Sequence, residues 1–128
     1  MRRSLLAALL LTMGCSAPPV TNLRGEWGGE HISLTITDAG SSLEFDCAVG
    51  AIPGPFTVDA QGRFDLSGTF TPGTGGPEPI TPRPAQNATY AGRASGRSMT
   101  LTLTPEGDLP GSTYELRQGE PPQLFLCL

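Results

Sequence analysis

The chain has 128 residues with eight arginines, no lysine and twelve carboxylates, a formal net charge of −4. That balance argues against a nucleic-acid partner, which needs a cationic footprint, and against a polybasic patch for anionic lipid. Glycine and proline are plentiful, at 17 and 13 residues, and helix formers are scarce, so no helix is expected after the N-terminal segment.

Arg2 and Arg3 precede an uncharged apolar run from Leu5 to Met13. The run has the length of a signal-peptide h-region and falls short of the roughly 20 apolar residues that span a bilayer. It is apolar all round, which an amphipathic core helix is not. Two processing routes fit. Cys15-Ser16-Ala17 passes as an A-x-A-like cleavage pattern, but that cut precedes Pro18, whose ring and missing N–H suit an extended protease site poorly. The alternative is Leu11-Thr12-Met13-Gly14-Cys15, which resembles a bacterial lipobox, with Thr12 standing where leucine is commonest. The resemblance covers residues 1–16. It implies cleavage after Gly14, a diacylglycerol thioether on Cys15 and an acyl chain such as palmitate on its amine. It also implies a bacterial envelope location, at the outer membrane (periplasmic or surface face) rather than the inner one. One acyl chain binds marginally and two or more hold stably, at ~0.8 kcal/mol per buried methylene.

The expected layout is a signal peptide over 1–14, a lipidated cysteine and tether over 15–24, and a β domain over 25–128. The tether reaches at most roughly 30 Å. The mature chain of about 114 residues suits one domain and keeps six arginines against twelve carboxylates, a net charge of −6. Its remaining cysteines, Cys47 and Cys127, favour one disulfide in an exported protein. Two unpaired buried thiols are the alternative. The bridge would contribute roughly 4–5 kcal/mol in the loop-entropy picture.

Further along, the hydrophobic period is 2. His31 to Thr37 puts Ile32, Leu34 and Ile36 on one face. After a turn at Asp38 to Ser41, Leu43 to Val49 alternates Leu43, Phe45, Cys47 and Val49 against polar or small residues. Pairing Thr37 with Ser42 sets Ile36 opposite Leu43, Leu34 opposite Phe45 and Ile32 opposite Cys47. Phe56 and Val58 lead through Asp59-Ala60-Gln61-Gly62 into a strand over Arg63 to Phe70. Thr71 to Gln86 carries too many prolines and glycines for a ladder and reads as a long exposed loop. Asn87 to Arg93 and Ser98 to Thr104 flank a turn, with Met99, Leu101 and Leu103 as an apolar face. Thr113 to Arg117 and Gln123 to Leu128 complete the pattern. About eight short strands with no helical crossover predict an all-β domain. Its expected form is a single small antiparallel up-and-down barrel, which removes both sheet edges, with an open β-sandwich as the alternative.

Gly25-Glu26-Trp27 is similar to the G-x-W that opens lipocalin- and avidin-like (calycin) barrels. The resemblance implies that Trp27 plugs the closed end, with Arg117 lying across its ring in a cation–π contact of ~1 kcal/mol. No counterpart of avidin's ligand-binding side chains is present, so no biotin function transfers. The segments Gly25 to Ile32 and Leu43 to Cys47 also resemble those of short secreted or lipid-anchored bacterial proteins, which supplies no activity.

Signals for chemistry are sparse. His31 is the only histidine, which excludes two-histidine metal sites. In the expected register it lies on the outer face beside Ala48 and diagonal to Asp46, with Glu30 adjacent in sequence. A His–carboxylate pair can act as a general base, but a solvated histidine on a polar strand face accounts for the pattern. No serine sits in a G-x-S-x-G setting, and Gly73-Thr74-Gly75-Gly76 lacks the helix and lysine of a phosphate loop. Glu44, Asp46, Asp59 and Asp65 offer oxygens to Ca²⁺ but alternate as a polar strand face without calcium-loop spacing. No catalytic residue, metal site or cofactor is therefore assigned. The expected partners are the bilayer, through acylated Cys15, and an envelope protein or small ligand. Three readings follow: a non-enzymatic lipoprotein that presents its loops, a barrel that binds an apolar ligand in its mouth, and a protease-inhibitor-like barrel using residues 16–24 as an arm.

Overall fold

The computed structural model describes residues 20–73, 84–107 and 110–125. Among these no helix occurs. The strands are β1 (Thr21–Leu23), β2 (Gly25–Gly29), β3 (Ile32–Ile36), β4 (Gly40–Phe45), β5 (Ala48–Pro53), β6 (Phe56–Val58), β7 (Arg63–Pro72), β8 (Gln86–Ser95), β9 (Ser98–Pro105) and β10 (Ser112–Gln118). Eight of them close into an antiparallel barrel in the order β10-β2-β3-β4-β5-β7-β8-β9, and β1 pairs with β6 as a separate two-stranded ribbon. The barrel, not the sandwich, is the architecture. Each barrel strand hydrogen-bonds its chain neighbours except where β6 leaves the wall, so closure satisfies both edges.

The alternation expected from the sequence sets the inside. Trp27, Ile32, Leu34, Ile36, Leu43, Phe45, Ile52, Phe64, Ala88, Tyr90, Met99, Leu101, Leu103 and Leu116 are buried, joined by Phe56 and Val58 from the ribbon. Rings meet across this space, with Phe45 at 5.8 Å from Phe70 and 5.3 Å from Tyr114, and Phe56 at 4.8 Å from Phe64. Tyr90 is the largest fully buried side chain. A Cβ at Gly50 would lie 2.2 Å from its hydroxyl and one at Gly68 2.9 Å from its ring, so two bare positions on neighbouring strands make room for it. The interior is thus filled by side chains packed large against small.

Several sequence expectations are corrected. The β3–β4 register is Ile36↔Ser41, Leu34↔Leu43 and Ile32↔Phe45, two residues tighter than expected. Thr37 closes a turn directly onto Gly40, with its amide and Oγ1 both donating to the Gly40 carbonyl at 3.0 and 2.8 Å. A shift of two keeps every side chain on its face, so the hydrophobic pattern could not detect it. The expected strand over Leu43 to Val49 is two strands: Phe45 pairs with Ala48 around a turn at Asp46-Cys47. β6 makes no hairpin with β7 and pairs instead with β1, which falls inside the expected tether. The Asp59 turn does form, with Asp59 Oδ1 accepting the amides of Gln61 and Arg63 at 2.9 and 2.8 Å. The expected last strand is, over its described part, a strap with one parallel bridge, Glu30↔Gln123. Residues 74–83 of the long loop lie outside the described residues, as do the expected signal peptide, Cys15 and Cys127.

Candidate functional site

Gly25 and Trp27 open β2. Gly25 holds φ at +100°, a backbone conformation that glycine adopts freely, and a Cβ there would meet Gln118 Nε2 at 3.0 Å. Trp27 points inward and its indole Nε1 donates to the Arg24 carbonyl at 3.2 Å. Arg117 does not lie across that ring. It pairs with Gly28, alternates with buried Leu116 and is exposed on the outer wall, so the period of β10 puts the guanidinium on the opposite side of the sheet from the indole. Gln118 is the residue opposite Trp27.

The polar side chains that do converge lie where the β2–β3 and β4–β5 turns meet. His31 adopts φ 68°, the only non-glycine residue with positive φ among those described. Its Nδ1 is 2.5 Å from Asp46 Oδ2, and its Nε2 is 3.6 Å from Glu30 Oε1. The tighter β3–β4 register brings Asp46 directly beside His31; the expectation of Ala48 as its neighbour is corrected accordingly. Asp46 Oδ1 accepts the Phe125 amide at 2.9 Å, and the Phe125 ring packs 4.9 Å from the imidazole. Above all the Phe125 N–H holds the Asp46 carboxyl below its ordinary range; burial opposes it, and the contact with His31 adds to the lowering. An ionised carboxylate only accepts, so Nδ1–H of His31 is the donor to Asp46.

This arrangement fastens the C-terminal strap. Gln118 turns through Gly119, and the chain returns over the outside of β2. A Cβ at Gly28 would sit 2.1 Å from the Glu120 carbonyl oxygen. Gln123 donates its amide to the Gly29 carbonyl at 3.0 Å and accepts from the His31 amide at 2.8 Å. Gly28 was the available signal for this close approach, and sequence reasoning passed over it, as it did Gln123 and Phe125. Between the strap and the outer faces of β9 and β10 lies a groove of about 650 Å³ lined by Thr100, Thr113, Glu115, Arg117, Glu120 and His31, among others.

Both imidazole nitrogens face carboxylates, and among the described residues no hydroxyl hydrogen-bonds the ring. Glu44 and Asp46 belong to one end of the barrel and Asp59 to the other, with Asp65 on β7, so the four carboxylates considered for Ca²⁺ do not converge. No group of three or more His, Cys, Asp or Glu side chains suited to a metal occurs among the described residues. Cys47 is exposed in the β4–β5 turn and its sulfur is engaged. No family model, curated protein or solved structure matches the chain significantly.

Proposed function

We propose that the chain is a bacterial lipoprotein precursor whose mature form is a non-enzymatic binding or structural barrel, held at the cell envelope by lipid on Cys15. The observation that carries the reading is the uncharged apolar run that stops at Leu11-Thr12-Met13-Gly14-Cys15. Blocking lipoprotein signal peptidase with globomycin is expected to accumulate the uncleaved precursor, and Cys15→Ala to move the protein out of the membrane fraction. A wild-type protein that partitions as soluble in detergent overturns the reading.

The barrel acts by its outer surface and its end loops in this reading. Packing of Trp27, Phe45, Phe64, Tyr90 and Leu101 inside weighs against the calycin-like alternative, an apolar ligand in the barrel mouth. The inhibitor-like alternative loses part of its arm, because Thr21–Leu23 is already hydrogen-bonded to Phe56–Val58. A Cys47–Cys127 disulfide belongs to the same proposal. It is supported by Asp46 accepting the amide of Phe125, which brings the chain two residues before Cys127 against the neighbour of Cys47. Intact mass before and after alkylation without reductant tests it: an uptake of two labels at these positions removes the bridge.

A further inference from the structure

The composition argued against a basic membrane-facing patch, but the fold sorts the charges. One end of the barrel is marked by the start of β2, the β3–β4 turn, the Asp59 turn and the β8–β9 turn. Cross-bonds tie these together: Arg24 Nε to Asp38 Oδ1 at 2.8 Å, Gln118 N to Arg97 O at 2.9 Å, Gly119 N to Glu26 O at 2.8 Å and Ala94 N to Gly62 O at 2.8 Å. Every described arginine of the mature chain is here: Arg24, Arg63, Arg93, Arg97 and Arg117, all exposed. Arg63 and Arg93 are direct cross-strand neighbours. Asp38 and Asp59 are paired with Arg24 and Arg63, which leaves Arg93, Arg97 and Arg117 against Glu26 and Asp65. The opposite end, formed by the β2–β3 and β4–β5 turns and the far ends of β8 and β9, carries Glu30, Glu44, Asp46 and Glu106 and no described arginine. Glu115 and Glu120 lie between the two.

The chain also enters at the arginine end, since β1 runs straight into Arg24 and pairs with β6, which runs straight into the Asp59 turn. From Cys15 to Val20 is six residues, a reach of roughly 20 Å. We infer that the lipid-anchored barrel stands on an anionic bilayer with its arginine end toward the headgroups and its acidic end, with His31, Asp46 and Phe125, turned away. This rests on the lipid-anchor reading. The arginines orient and do not anchor: the domain is acidic overall and would be repelled from anionic lipid, least so in this pose. A headgroup plane acts within a Debye length of ~10 Å at 0.1 M salt, so the two ends experience it differently.

The test uses the mature lipoprotein reconstituted into phosphatidylglycerol-rich or pure phosphatidylcholine vesicles that contain an acceptor-labelled lipid. A clickable non-natural residue carries the donor dye at Ser95 or at Val49, exposed positions at the arginine and the acidic end. Greater energy transfer from Ser95 than from Val49 is expected in the anionic vesicles. That difference should shrink in phosphatidylcholine, in high salt and in the triple variant Arg93→Glu, Arg97→Glu, Arg117→Glu, whose fold is checked by circular dichroism. Equal transfer from both sites on anionic lipid overturns the inference, as does a difference indifferent to lipid charge and to the triple variant. Failure of the anchor reads differently: the protein then fails to sediment with either kind of vesicle, and orientation and anchor fall together.

Discussion

His31 carries backbone strain of order 1–3 kcal/mol, at a conformation that histidine tolerates better than most residues, and its position is fixed by what it holds. Because Phe125 N–H and His31 lower the pKa of Asp46, its ionised form favours the folded state. That contribution is present above the ordinary value of 3.8 and lost as pH falls through the lower folded value. Asp46→Asn should therefore flatten the acid limb of a stability–pH profile in part, Asp59 contributing a further part through its own bonds to the Arg63 and Gln61 amides. Tyr90 works in the opposite sense. Burial, reinforced by Tyr114, pushes its hydroxyl up to about 12, so its contribution is full below pH 10 and disappears as pH climbs through about 12. Its O–H donates to the Thr69 carbonyl at 2.6 Å. Tyr90→Phe should cost ~1 kcal/mol in urea melts at pH 7 and flatten the alkaline limb. Ser41 is the contrary case: it is buried and its Oγ has no partner among the described residues. Ser41→Ala should leave the urea midpoint unchanged or raise it, and a fall of more than ~1 kcal/mol would mean the hydroxyl is satisfied.

Among the elements, strands were legible and their pairings less so. Period-2 alternation in Ile32–Ile36 or Ser98–Pro105 says which face is buried, because a one-residue slip would turn the whole face to solvent. It does not distinguish registers that differ by two, and the Thr37–Gly40 turn chose between them. Nor does it show that Asp46-Cys47 interrupts an unbroken alternation. The strap was illegible for another reason: it is held mainly by backbone hydrogen bonds at Gln123 and by one ring contact, which leave no hydrophobic period. Gly28 is its most exacting position. Gly28→Val should push the Glu120 segment off β2, so that the His31 and Gln123 amides exchange faster with solvent while the β8 and β9 amides keep their protection. Unchanged exchange at His31 would show that the strap tolerates the side chain.

At the scale of the whole molecule, closure of eight strands with one Trp, several Phe and Tyr90 pointing inward yields a filled core. Leu101 is fully buried in it, and Leu101→Ala should cost roughly 2–5 kcal/mol by denaturant unfolding. A cost under ~1 kcal/mol would point to slack in the interior and favour the ligand-binding reading. The charge pattern is also a property of this scale. Arg24, Arg63, Arg93, Arg97 and Arg117 are scattered along nearly a hundred residues, and antiparallel strands that reverse at each turn bring them to one end.

By itself the sequence determined the all-β class, the buried face of β3, β4, β7 and β9 and the absence of a lysine-rich surface, because these depend on local period and composition; it put Val49 on the buried face of what is β5, where Val49 is exposed and Ile52 is buried. The same local information supplied the lipobox-like segment from which the envelope reading starts. Only the tertiary structure decided the β3–β4 register, the departure of β6 to β1, the outward side of Arg117, the meeting of His31 with Asp46 and Phe125, and the gathering of arginines. Each of these depends on which distant residues closure brings together, and that is set by turn geometry and strand count, which hydrophobic alternation does not encode.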